Sequence, residues 1–399
     1  MSKMLTDSLN NTYRSLLKGM GLWEKRFFKD FFPALLQSKT SIMSKITLDK
    51  TKKAKKVCDR NSHFLAKENF AKLPDKVEKR CFALLGEIKD DDYICIDEVD
   101  IAKPSAKLME GIYKVHDSSE NKTVNGFLFH GVSIRGIPVI LQQEDIENNT
   151  KNGYFGEIIK RLIKYTKGKG TIVLDAGYDI KTYMSFLLEK DANFIVRAKR
   201  ERILYDESGN SIGKMKSFKE GIHEVYLKQD DNTLTKVYFY VKQFPEYDTP
   251  MRIYSNTNDR NVEEYKKRWE IECIFKTMKQ EYEMEKIQAG SLQVLQNMVA
   301  TIQMAVAFAT HLYGLQHKKE SKTFFKCDKL LIKKFERFHW REGGKMNPNM
   351  YIRFLSEYVE NSFKKKPKKQ YKKHINTEPN NSSQQRLFSM RELGKRGVI

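Results

Sequence analysis

The chain has 399 residues, enough for two or three domains with a real core, and a formal net charge of +22. The charge is uneven: residues 1–75 carry a net +9, residues 318–399 a net +14, and the span between them −1. A near-neutral body between two basic ends suits a catalytic centre whose flanks hold a polyanion, although an anionic membrane surface would call for the same sign. The five cysteines, Cys58, Cys81, Cys95, Cys273 and Cys327, include no pair at zinc-ligand or redox spacing. That excludes a zinc-finger or disulfide scaffold, and together with a first segment lacking an apolar signal core it gives the expectation of a reducing cytoplasm.

Residues 1–75 read as a helical DNA-binding region. Trp23, Phe27, Phe28, Phe31 and Phe32 stand at helical spacing among Lys25, Arg26 and Lys29, and a basic run follows over 50–56. The same aromatic stripe would also suit a packed core. From residue 93 the pattern turns to strands, at 93–99, 126–134 and 137–141, the last two separated by the turn-like Arg135-Gly136. A helix is expected over 154–165, a buried strand over 171–174, a helix over 180–189 and a strand over 193–196. Three strands, helix, strand, helix, strand is the order of a ribonuclease H-like mixed sheet with helices on both sides. That α/β core would run through residues 76–198. Residues 199–256 show short alternating runs and turn signals, which predict an all-β insertion. Residues 257–317 would complete the core with a long helix beginning near 261. A second long helix over 292–315 lies in a stretch without Asp, Glu, Lys or Arg. Gln293, Asn297, Thr301 and Gln303 interrupt it, which favours a buried helix over a membrane span. Residues 318–376 read as a basic helical region and 377–399 as a mobile tail.

The chemistry concentrates in three places. On a helix at about 100° per residue, Tyr265, Arg268, Glu272 and Lys279 fall at roughly 0°, 300°, 340° and 320°, one narrow stripe. Ile271, Ile274, Phe275 and Met278 form the bordering apolar face. A carboxylate set among an arginine, a lysine and a tyrosine suits metal-assisted phosphodiester chemistry, with an oxygen ligand beside groups that hold phosphate. An ordinary solvated helix with charge pairs would show the same residues. Asp97 closes the strand Ile94-Cys-Ile-Asp97, and Asp175 closes Ile172-Val-Leu-Asp175. An Asp emerging from a buried strand is rigidly held at a crevice, where a hard cation finds its ligands. The plainer alternatives are an acidic edge cluster with Glu98 and Asp100 for the first, and a turn or helix-entry residue for the second. His130 suits a satisfied structural histidine, and Asp179 the N-cap of the helix after it.

These residues resemble the DDE transposases of bacterial insertion sequences, specifically the insertion-sequence-four group. The group's Tyr-x2-Arg-x3-Glu-x6-Lys signature is matched at Tyr265, Arg268, Glu272 and Lys279, and its Asp-x-Gly-Tyr/Phe motif at Asp175, Gly177 and Tyr178. The first-carboxylate region of the family is looser; Asp97 matches best and Asp100 is its rival. The resemblance covers residues 93–288. It implies two Mg²⁺ ions, with Mn²⁺ able to substitute, held by Asp97, Asp175 and Glu272, and in-line cleavage and strand transfer of DNA ends. It also implies that Arg268, Lys279 and Tyr265 contact the backbone. Trp269 would support a flipped base, though it suits core packing equally well. The implied partners are double-stranded DNA, as transposon terminal inverted repeats and as target, and a second copy of the chain in a synaptic homodimer, with no membrane. A different ribonuclease H-like nuclease, or a non-catalytic DNA-binding protein derived from a transposase, are the competing readings.

Overall fold

The apolar strands of the middle third have one way to bury both faces, which is to lie side by side under helices. The computed structural model describes residues 3–106, 108–117, 121–144, 151–260, 262–317, 352–353 and 355–357. Four helices come first: α1 Lys3–Leu16, α2 Leu22–Ser38, α3 Ala54–Leu65 and α4 Leu73–Leu85. Strands β1 Tyr93–Ala102, β2 Tyr113–Asp117, β3 Lys122–Ile134 and β4 Ile137–Gln143 follow. After them come α5 Lys151–Thr166, β5 Thr171–Leu174, α6 Lys181–Glu189 and β6 Asn193–Arg197. Short strands β7 Ile203–Tyr205, β8 Ser211–Lys214, β9 Gly221–Lys228, β10 Leu234–Lys242 and β11 Met251–Ser255 lead to α7 Trp269–Gln280 and α8 Leu292–His317.

All eleven strands join one sheet in the order β2-β3-β1-β5-β6-β11-β10-β9-β7-β8, with β4 on the far edge of β3. β1, β5 and β6 run parallel, and β3 lies antiparallel to β1. β4 and β2 share the outer edge of β3, one at each end. The sheet is therefore mixed, and residues 199–256 extend it, because β11 pairs antiparallel with β6. The β3–β4 hairpin turns at Arg135 and Gly136, both with positive φ (52° and 71°), as a two-residue hairpin turn requires. Arg135 holds that conformation through its side chain, donating from Nε to Asp92 Oδ1 at 2.6 Å and from Nη1 and Nη2 to the carbonyls of Leu85 and Glu87. Strand β2 has no counterpart in the sequence-based expectation.

Alternation along the strands assigns the two faces. Asp97 and its partner Gly131 point to the face covered by α7, whereas Glu98 and its partner His130 point to the other, where His130 stacks on Tyr154 of α5. Gly131 is needed for close approach: a Cβ there would meet Cζ and Cε1 of Phe275 at 2.5 and 2.7 Å. With Phe275 seated on the strand, Glu272 one turn earlier is carried toward Asp97.

α8 is the hub of the helical layer, packed on α4 and β4 and also touching α2, α3 and α7. By length and composition the span Leu292–Gly314 could cross a membrane, but 83% of it is buried inside the protein. The polar residues that interrupt it all find partners. Asn297 Nδ2 donates to the Leu65 carbonyl at 2.8 Å, Gln293 Nε2 to that of Lys67 at 2.8 Å and Gln303 Nε2 to that of Pro138 at 3.2 Å. These donors escape the penalty of an unpaired buried polar group and fix α8 against its neighbours, while the buried Asn297 Oδ1 has no hydrogen-bond partner among the described residues. The α2 phenylalanines are core: Phe28, Phe31 and Phe32 are fully buried, and Phe32 meets Phe308 of α8 edge-on at 6.0 Å. Trp23 alone of the expected anchors is exposed, at 66%. Residues 1–75 thus share their apolar core with α8. The expectations for 318–376 and 377–399 lie outside the described residues, except that 352–353 and 355–357 are helical and Arg353 Nε donates to Glu281 Oε1 at 3.0 Å.

Gly131→Ala should destabilise the protein by about 1–3 kcal/mol, since a methyl group must displace the ring on which α7 rests. In denaturant unfolding, the double variant Gly131→Ala/Phe275→Ala should lose less than the sum of the two single losses. Strict additivity would show that the ring and the glycine do not meet.

Candidate active site

The expectation that Asp97 closes its strand does not hold: β1 runs on to Ala102 because β3 pairs with it from Ile94 to Ala102. Asp97 stands mid-strand opposite Gly131, just past the buried run Ile94–Ile96, whereas Asp175 leaves β5 directly after four buried residues. β1 and β5 are adjacent, so the two carboxylates come from neighbouring strands. Asp175 Oδ1 accepts the Gly177 backbone N–H at 2.8 Å, capping the short 3₁₀ turn Ala176–Tyr178. A Cβ on Gly177 would sit 2.9 Å from that oxygen, which accounts for glycine in the Asp-x-Gly spacing.

The signature stripe is not one continuous α-helix. Tyr265 and Arg268 lie in a 3₁₀ segment, Glu264–Arg268, and α7 begins at Trp269. The 3₁₀ turn rotates about 120° per residue, so the uniform 100° spacing holds only from Trp269 onward. Ile271, Ile274, Phe275 and Met278 are buried as the apolar face. Arg268 still reaches Glu272. Its Nη2 bonds Glu272 Oε1, while Nη1 donates to Asp97 Oδ2 at 2.7 Å. One guanidinium therefore ties the helix carboxylate to the strand carboxylate. Burial is the main cause that raises the Asp97 pKa, to about 6; Arg268 and the Glu98 backbone N–H oppose it, and the charges of Asp175 and Glu272 add to it. Burial works against the Arg268 charge, but Tyr265, Asp97, Glu272 and Asp175 outweigh it and raise its pKa. The structure thus brings Asp97, Asp175, Glu272, Arg268 and Tyr265 into one electrostatic neighbourhood. Tyr265 is buried, and the Arg268 guanidinium lies 5.7 Å from its ring centroid.

Lys279 sits apart from that cluster, shared between Asp100 Oδ1 and Glu285 Oε1, each at 3.1 Å. Asp100, the rival first carboxylate, is thereby committed to the lysine, and Asp97 to the arginine. Trp269 is 65% exposed, so core packing is not its role. It borders a cavity of about 490 Å³ together with Tyr265, Arg268, Lys266, Tyr247 and Arg197. Arg197 was absent from the sequence-based candidates. It ends β6 one register step beyond Val196, which pairs with Leu174, so it stands beside Asp175. A basic residue closing the strand that follows the Asp-x-Gly strand was the available signal.

His130 is buried and held by carboxylates, with Nε2 2.9 Å from Glu144 Oε2 and Nδ1 3.7 Å from Glu98 Oε1. It lies on the face away from α7. Asp179 is not an N-cap of α6; Ile180 occupies that position. Asp179 is buried and accepts from Tyr254 Oη at 2.6 Å and the Lys199 backbone N–H at 2.7 Å, and pairs with Arg202. It ties β11 and the start of the 199–256 segment to the strand ends.

The donor set is all oxygen, as hard divalent cations require. Among the described residues, no three His, Cys, Asp or Glu side chains are gathered closely enough to hold a metal ion as they stand. The positive charge between Asp97 and Glu272 is instead supplied by Arg268, standing where a cation would relieve the same repulsion, so the residues fit a divalent ion chemically.

Residues 88–308 match the transposase DDE domain, more than half of the chain. The chain belongs to this family of transposases. Among solved structures, one similarity is to the piggyBac transposase synaptic complex with hairpin DNA, at 12% identity and a TM-score of 0.42, covering 92% of this chain and 73% of that one. No curated protein matches the sequence.

Raising a carboxyl pKa on folding gives stability that is complete below the unfolded value of 3.8 and lost as pH rises through about 6. Asp97→Asn removes that titration. In thermal unfolding between pH 4 and 7.5, the variant should gain on the wild type as pH rises, by on the order of 2 kcal/mol. Parallel pH profiles would contradict the burial of the Asp97 charge.

Proposed function

We propose that this chain is a cut-and-paste transposase of the insertion-sequence-four group, with a ribonuclease H-like core that cleaves DNA at transposon ends and joins the 3′-OH to target DNA. The observation that carries the reading is Arg268 joining Asp97 of β1 to Glu272 of α7 beside Asp175 at the end of β5. The central strand order β4-β3-β1-β5-β6, with β3, second from the edge, alone antiparallel to the others, supports the ribonuclease H-like description. The assignment of Asp97 over Asp100 rests on the separate commitment of Asp100 to Lys279.

Asp97, Asp175 and Glu272 would hold two Mg²⁺ ions, for which Mn²⁺ can substitute. When bound, such ions supply Lewis acidity to a phosphodiester and lower the pKa of the attacking water or hydroxyl. Arg268, once its carboxylate partners are neutralised, is free to donate two parallel N–H bonds to a phosphate. Arg197 and the exposed Trp269 at the rim of the 490 Å³ cavity offer a charge for the backbone and a flat face for a base. Lys279, balanced by Asp100 and Glu285, reaches phosphate by exchanging one of these partners. The partners are double-stranded DNA, as terminal inverted repeats and as target, and a second copy of the chain when two ends are paired.

With Mg²⁺ or Mn²⁺ the protein should nick duplexes carrying its element's ends and leave a 3′-OH. Glu272→Gln keeps the side-chain shape, so gel-shift binding should persist within a few-fold while nicking falls by at least about a thousandfold, the scale of a lost transition-state contact. Undiminished nicking by that variant would remove Glu272 from the site.

A further inference from the structure

The α1–α2 hairpin closes around a concavity of about 580 Å³ lined by Arg14, Lys18, Lys25 and Lys29, with Asn10 and Tyr13 among them. None of its lining residues is acidic. Lys25 and Lys29 are one turn apart on α2 and repel, and Arg14 in the last turn of α1 and Lys18 in the turn after it line the same concavity. None of the four has an ion-pair partner among the described residues, although other cations nearby do, as in Lys67 with Glu24. A fifth positive charge reaches the same turn, where Lys76 Nζ donates to the Lys18 carbonyl at 2.9 Å. Uncompensated repulsion of this kind weakens the compact state and is relieved when a polyanion supplies the missing charge.

We propose that this concavity grips the phosphate backbone of duplex DNA without reading sequence, as a contact separate from the carboxylate centre; the proposal rests on the transposase reading of the chain. Three of the four cations are lysines on flexible stems, which meet phosphates as point charges; Arg14 and Asn10 are the lining side chains with the bidentate geometry that reads a base edge, and comparing terminal with scrambled duplex separates the two modes. Single-stranded DNA would need an aromatic platform. The one ring in the lining, Tyr13, is 8% exposed and packed edge-on against Phe28 and Phe32 at 6.5 and 6.4 Å. A lipid surface is disfavoured because the apolar lining, Leu17, is buried.

The test uses the full chain, the variants Lys25→Gln/Lys29→Gln and Arg14→Gln/Lys18→Gln, and Lys236→Gln on β10 as a surface control that removes a single, ion-paired charge. Fluorescence anisotropy would follow labelled duplexes of terminal and scrambled sequence across a range of salt. Each double variant should weaken both duplexes equally, by several-fold, and reduce the slope of log affinity against log salt by roughly 1–2. Melting temperature should be unchanged or higher. Unchanged affinity and slope would overturn the proposal. So would weakening confined to the terminal duplex, which would mean base reading. Loss of binding to phosphatidylserine vesicles with DNA binding intact would reassign the surface to a membrane. Nicking of the terminal duplex by the wild type judges the transposase reading separately. A wild type that binds with the expected slope but never nicks sinks that reading alone, whereas normal binding by the variants beside an active wild type sinks the concavity alone.

Discussion

The site depends on one constraint, the repulsion among carboxylates delivered to the same place by different elements. β1 supplies Asp97, β5 supplies Asp175 and α7 supplies Glu272, and burial makes the Asp97 charge harder to keep. In the protein alone, Arg268 answers that repulsion by bonding two of the three. The arrangement works only if α7 can lie tight on the sheet, and that depends on the missing side chain at Gly131 beneath Phe275. The same arginine is thus a counter-ion to the carboxylates and, in the proposed reaction, a ligand of phosphate. Removing it would leave buried negative charge uncompensated, so its structural and chemical roles cannot be separated by a simple deletion.

Charge placement divides the molecule. The centre pairs its cations with acids: Arg268 with Asp97 and Glu272, Lys279 with Asp100 and Glu285, Arg202 with Asp179. Among the described residues, Arg14, Lys18, Lys25 and Lys29 of the α1–α2 hairpin have no ion-pair partner. A substrate that is negative along its whole length can be held by the second kind of surface while only a short part of it enters the first. The N-terminal helices are not a detachable module, because their phenylalanines and the bonds from Asn297 and Gln293 to the Leu65–Lys67 segment bind them to α8.

Much of the order of elements was legible because it rests on local pattern. The buried run of β5, the Arg135-Gly136 turn and the apolar face of α7 are written in consecutive residues. The resemblance to DDE transposases agrees with the family match over residues 88–308. What escaped the sequence is non-local. β2, Tyr-Lys-Val-His-Asp, has weak apolar alternation and exists because the first half of β3 offers it an edge. Residues 199–256 look like a separate β unit by pattern, yet β11 pairs with β6 and continues the sheet, a register no local signal encodes. Asp179 stands at a helix entrance by sequence, but burial against Tyr254 and Arg202 takes it for another purpose. Arg197 gains meaning only once β6 is known to lie beside β5. The 3₁₀ start of the signature segment displaced the angular bookkeeping, and the Arg268–Glu272 contact formed nonetheless.

The most direct test of the carboxylate centre is Mn²⁺ uptake by the full chain, followed by electron paramagnetic resonance of the free ion. The account predicts that the wild type takes up the ion, that Asp97→Asn, Asp175→Asn and Glu272→Gln each weaken uptake sharply, and that Asp100→Asn leaves it in place. Uptake unchanged in the first three variants, or abolished by Asp100→Asn while Asp97→Asn binds normally, would contradict it.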